Sequence, residues 1–90
     1  MTRIAANGFT HDRFAPVRAV FEENLNNGQD TGASYCATLD GETVVDLWGG
    51  FADEEGARPW QRDTIVNVYS TTKTMTALTA LLVADRGELD

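Results

Sequence analysis

Two runs, Ala33-Ser34-Tyr35-Cys36-Ala37-Thr38-Leu39 and Glu42-Thr43-Val44-Val45-Asp46-Leu47-Trp48, are joined by Asp40-Gly41. Their β-branched and aromatic content reads as two strands, and Asp-Gly between such runs is a strong hairpin signal, because a type I′ turn needs positive φ at both central residues. Pairing Leu39 with Glu42 sets Thr38 opposite Thr43, Ala37 opposite Val44, Cys36 opposite Val45, Tyr35 opposite Asp46, Ser34 opposite Leu47 and Ala33 opposite Trp48. Both faces of that hairpin are partly apolar, which suits a sheet covered on both sides. Cys36 then reads as a small buried side chain. An isolated hairpin is marginal in water, so other elements must cover this one.

Upstream, residues 12–26 read as a helix. Phe14, Val17, Phe21 and Leu25 recur at helical spacing, with Arg13, Arg18, Glu22 and Glu23 on other faces. Thr10 or Asp12 is placed to cap it, Pro16 falls in the first turn, and Asn26-Asn27-Gly28 ends it. His11 reads as an exposed cap residue. Downstream, Trp48-Gly49-Gly50-Phe51 closes the second strand, and a loop containing Asp53-Glu54-Glu55-Gly56 leads to Arg58-Pro59-Trp60. A second helix is expected from about Thr71 to Arg86, closed by Gly87. Met75, Leu78, Leu81 and Leu82 give it an apolar stripe and alanines fill other sides, the pattern of a buried helix. A hairpin with flanking helices is an α+β chain.

The 90 residues carry a net charge of −7, which argues against a nucleic-acid partner because no basic face offsets phosphates. Most of the acid excess lies in residues 31–64, where seven acids face two arginines, and reads as solvated strand faces and loop. The single cysteine excludes an intrachain disulfide, and no Cys/His spacing suits a metal. No cofactor is expected. The first residues lack the apolar core of a signal peptide, so a cytoplasmic location is the default expectation. The stretch Ile65–Ala84 is too polar to span a membrane, and no membrane partner is expected.

Six of the seven basic residues are arginine, and Lys73 is the only lysine. It follows one of only two serines by three positions, in Ser70-Thr71-Thr72-Lys73, a placement with chance odds of roughly 2%, so the pair merits a chemical reading. On a helix, i and i+3 share a face with their Cβ atoms about 5–6 Å apart, within reach of a hydrogen bond between the tips. Positions three and four away from Lys73 hold Tyr69, Ser70, Thr76 and Ala77, none of them a carboxylate. A lysine desolvated without a partner has its pKa pushed down, and the neutral amine is a usable general base. At a helix start, the Ser70 backbone N–H is free to serve as an oxyanion donor. The competing reading makes Ser70 an ordinary N-cap and Lys73 a solvated side chain.

Residues 63–78, Asp63-Thr64-Ile65-Val66-Asn67-Val68-Tyr69-Ser70-Thr71-Thr72-Lys73-Thr74-Met75-Thr76-Ala77-Leu78, with Asp85-Arg86-Gly87-Glu88-Leu89-Asp90 after them, resemble the nucleophile region of serine β-lactamase-related proteins. These comprise class C β-lactamases, DD-peptidases and family VIII carboxylesterases. Asp40 to Gly50 and Arg58-Pro59-Trp60 look most like the esterase-type branch. The resemblance implies a β-lactamase/DD-peptidase-like α+β fold, with an N-terminal helix, an antiparallel hairpin of the central sheet and a nucleophile helix. Residues 1–90 would then be the N-terminal part of a single serine hydrolase domain.

It further implies an acyl-enzyme on Ser70, with Lys73 taking or relaying the serine proton, and a small-molecule ester or amide as substrate. The family also uses a Tyr-x-Asn-type motif and a late-strand motif. Neither Tyr35 nor Tyr69 is followed by x-Asn, and Trp48-Gly49-Gly50 precedes the nucleophile, so neither motif is assigned. A further segment or chain completing the domain is the partner this leaves open, and the 90-residue piece alone is expected to be inactive. The alternatives are a non-catalytic binding or scaffold relative, and a β-lactamase or D-amino-acid peptidase. A Ser-His-Asp hydrolase is disfavoured, because Val68 and Thr72 stand where Gly-x-Ser-x-Gly needs glycines. Phosphate-loop and calcium-loop spacings are absent.

Overall fold

The computed structural model describes residues 3–88. In chain order these form β1 (Asn7–Thr10), a 3-10 turn at Asp12–Phe14, α1 (Ala15–Asn26), β2 (Gly32–Leu39), β3 (Glu42–Gly50), a second 3-10 turn at Tyr69–Thr71 and α2 (Thr72–Asp85). The three strands form one antiparallel sheet in the order β1-β3-β2.

The hairpin turn is as expected. Asp40 and Gly41 both have positive φ, 52° and 82°, as a type I′ turn requires. Leu39 pairs with Glu42 and Thr38 with Thr43, but the register then shifts and Ala37 pairs with Val45. Val44 is the extra residue of a bulge, so the pairing expected beyond Thr38 is corrected by one position. Tyr35 now stands opposite Leu47, Cys36 opposite Asp46, Ser34 opposite Trp48 and Ala33 opposite Gly49. Because side chains alternate faces, a one-residue slip moves Cys36 away from Val45 and off the core face. The thiol is exposed, not buried as the alternation suggested.

Val45 and Leu47 are the two most completely enclosed side chains, 1% and 0% exposed, and cluster with Ala6. Phe14 of the 3-10 turn and Val17 and Phe21 of α1 pack on this cluster with Ala37 and Val44, and Leu25 is buried further along the helix. The apolar stripe expected of α1 is therefore the face it buries. Enclosing a side chain of the size of Leu47 contributes about 1.5–3 kcal/mol. The helix proper starts at Ala15, with Pro16 in its first turn. Neither Thr10 nor Asp12 is the cap: His11 takes that position on the preceding 3-10 turn, its Nδ1 accepting from Arg13 N–H at 3.2 Å, and it is exposed.

Strand β1 carries little sequence signal, having one large apolar residue, Phe9. What admits it to the sheet is Gly8, at φ 103°, where any Cβ would collide with the Asp46 carbonyl oxygen and the Trp48 ring. Polar residues of α1 then tie this segment down. Arg18 donates to the carbonyls of Ala6 (3.3 Å) and Gly8 (2.8 Å), Glu22 accepts from Ala6 N–H (2.7 Å), and Asn26 pairs with both backbone groups of Ile4 (2.8 Å each). These residues, spaced four apart, form one row on the helix.

The loop after β3 folds back on the sheet. Phe51 and Pro59 form an antiparallel bridge, Trp60 N–H donates to the Gly50 carbonyl at 2.9 Å, and the buried indole lies against Gly32. Asp53 organises the acidic tip by accepting from Ala57 and Arg58 N–H groups, and Glu54 and Glu55 are exposed.

α2 departs most from expectation. None of its residues is buried, and Met75, Leu78, Leu81 and Leu82 are all exposed, at 60%, 52%, 66% and 50%. Its contacts are chiefly with the 3-10 turn that precedes it. Apolar composition marks a helix that needs a partner; burial requires that partner to be present, and no described element encloses α2. Only the α1 side of the sheet is closely covered, so the expectation of cover on both faces is not met within residues 3–88. No described helix is long and apolar enough to cross a membrane.

Candidate active site

Ser70 and Lys73 lie at the junction where an extended segment turns into α2. Residues 65–68 form no strand, and Ile65 is 91% exposed. Chain reversal begins at Asn67, whose Oδ1 accepts from Tyr69 N–H at 3.1 Å, an Asx turn. Tyr69 then adopts φ 48°, in the left-handed region. Thr71 N–H donates to the Val68 carbonyl at 3.0 Å and Thr72 N–H reaches the Tyr69 and Ser70 carbonyls. Ser70 thus occupies the middle of a 3-10 turn, and Lys73 is the second residue of α2.

Ser70 lies in the 3-10 turn Tyr69–Thr71 and Lys73 three positions on in α2, with no hydrogen bond between their side chains among the described residues. The ordinary N-cap reading of Ser70 is not met, since Thr71 holds the cap position and α2 has no side-chain cap. The ion pair found among the described residues joins Arg62 to Asp46 at 3.3 Å and leaves Lys73 without a carboxylate partner there. Both Ser70 and Lys73 are exposed, so the desolvation expected around Lys73 is not supplied by residues 3–88.

An apolar groove of about 550 Å³ lies elsewhere, between α1 and β2, lined by Val17, Val20, Phe21, Ala33 and Tyr35. It contains neither member of the pair. Among the described residues, no three His, Cys, Asp or Glu side chains assemble into a metal-binding group. The Asn67–Tyr69 turn was not anticipated from the sequence. Its available signal was the Asn two residues before an amide that needs an acceptor, a common and weak pattern.

Residues 17–90 match the family model described as Beta-lactamase. Esterase/beta-lactamase LipL of Mycobacterium tuberculosis is 40% identical over 83 residues, which are 92% of this chain and 19% of that protein. Esterase EstB of Burkholderia gladioli is 36% identical over 75 residues, 83% of this chain and 19% of its own. Among solved structures, a family VIII carboxylesterase superposes with a TM-score of 0.89 at 46% identity, covering 94% of this chain and 23% of the other. A penicillin-binding protein homolog from Caulobacter crescentus gives 0.84 at 44% identity, covering 91% and 22%. The chain therefore spans about a fifth of the length of the curated relatives it matches.

Proposed function

This chain belongs to the Beta-lactamase family, and we propose that it is the N-terminal part of an esterase-type serine hydrolase domain with Ser70 as nucleophile. The observation that carries the reading is the placement of Ser70 in the turn opening α2, three residues before the only lysine, with its hydroxyl unused as a cap. The esterase branch is favoured because both curated relatives are named esterases and a matching structure is a carboxylesterase.

In this reading the Ser70 Oγ attacks the ester carbonyl carbon and its proton passes to Lys73 Nζ. The carbonyl oxygen becomes an oxyanion, which the Ser70 N–H at the start of the helix is placed to stabilise. Collapse expels the alcohol, which takes a proton as it leaves, and an acyl-Ser70 ester remains. Water then attacks that ester, releases the acid and restores the serine. Ser70 and Lys73 are exposed among the described residues, so in this reading the rest of the domain covers α2 and encloses the pair. The 90 residues alone are accordingly inactive, and the segment or chain that completes the domain is part of the site.

The test is hydrolysis of short-chain p-nitrophenyl esters by the full-length protein that carries this chain. Ser70→Ala is expected to abolish turnover, a loss of at least about a thousandfold. An unchanged rate in that variant sinks the mechanism and favours a non-catalytic relative with a contaminating activity.

A further inference from the structure

Between the extended segment and α2 the backbone does something unfavourable: a bulky aromatic residue, Tyr69, sits at φ 48° directly before Ser70. Left-handed φ is cheap for glycine and costly for residues with a large side chain. Tyr69 is 77% exposed, so side-chain packing within residues 3–88 does not hold it there. What does engage it is the Asn67 side chain, whose Oδ1 accepts from Tyr69 N–H at 3.1 Å. Beyond it, the Thr71 N–H to Val68 carbonyl bond closes the turn over Ser70.

Unfavourable backbone persists where surrounding contacts over-determine it, and such positions cluster where geometry is used. Released from positive φ, Tyr69 would redirect the chain entering Ser70, moving both Oγ and the serine N–H relative to Lys73. Resting on the reading that Ser70 is the nucleophile, we infer that Asn67 is a positioning residue: its side-chain amide oxygen holds Tyr69 in the left-handed conformation that presents Ser70 for attack. The role needs an acceptor two residues before the strained amide and nothing else from the side chain. Aspartate can therefore replace Asn67, and glycine at position 69 makes it dispensable.

Both consequences are testable in the full-length protein with p-nitrophenyl acetate. Asn67→Ala is expected to lower kcat about tenfold or more with little change in KM, because a displaced nucleophile costs chemistry rather than substrate binding. Asn67→Asp keeps the acceptor and stays within about threefold of the parent. In a Tyr69→Gly background, the Asn67→Ala penalty shrinks to about threefold or less, since glycine adopts positive φ unaided. That rescue separates positioning from general destabilisation, which glycine would worsen. A parental kcat for Asn67→Ala overturns the inference, and so does a penalty undiminished by Tyr69→Gly. If Ser70→Ala retains full activity, the nucleophile reading falls and takes this inference with it; loss in Ser70→Ala with no effect at Asn67 refutes the positioning role alone.

Discussion

α1 and α2 are helices of similar length, 12 and 14 residues, with opposite relations between composition and burial. α1 mixes Arg18, Glu22, Glu23 and Asn26 with its apolar residues, yet Val17 and Phe21 pack on the core, Leu25 is buried, and its polar row anchors β1 and the residues before it. α2 is uniformly more apolar, yet none of its residues is buried among those described. Composition states how much a helix gains from cover; topology decides whether cover is there. The α1 half is a small closed unit with its own core, and the α2 half presents the candidate site on an open face.

Four substitutions probe that contrast, each read as a change in unfolding free energy by urea denaturation of the chain. Leu47→Ala, at a fully enclosed position, is expected to cost about 2–5 kcal/mol through lost burial and the cavity left behind. Gly8→Ala comes next, at about 1–3 kcal/mol, because a Cβ at φ 103° meets the Asp46 carbonyl and the Trp48 ring. Arg18→Ala, which removes two bonds to carbonyls of the β1 segment, is expected to cost about 1–2 kcal/mol. Leu81→Ala on α2, 66% exposed, should fall within about 0.5 kcal/mol of the parent. A Leu81→Ala penalty as large as that of Leu47→Ala would show that α2 is covered and would erase the contrast.

The same contrast explains what was legible in the sequence. The Asp40-Gly41 turn could be read because two-residue hairpin loops demand positive φ and few residue pairs supply it. The stripe Phe14, Val17, Phe21 and Leu25 could be read because its partner lies within the same 90 residues. The bulge at Val44 could not, since Val44 and Val45 are equally good strand residues and nothing in their chemistry says which is extra; the misplacement of Cys36 follows from that one residue. β1 was missed because its qualification is the missing side chain of Gly8 and a row of polar groups on α1, neither of which produces a hydrophobic pattern.

At the candidate site, the helix after Ser70 was legible from its apolar spacing and Gly87, which need only local geometry. The burial of α2 was misjudged because it depends on what lies against the helix. The Asx turn at Asn67 and the positive φ of Tyr69 were invisible for a different reason: no propensity points to a tyrosine at positive φ.

The central claim is that Ser70 is the group that becomes acylated. The most direct measurement is to expose the full-length protein to a fluorophosphonate probe and map the modified residue by peptide mass spectrometry, beside a Lys73→Ala variant. The expected result is one adduct per chain, located on Ser70, forming at least about a hundredfold more slowly when Lys73 is removed. Labelling at another residue, or an adduct on Ser70 that forms equally fast without Lys73, would contradict the account.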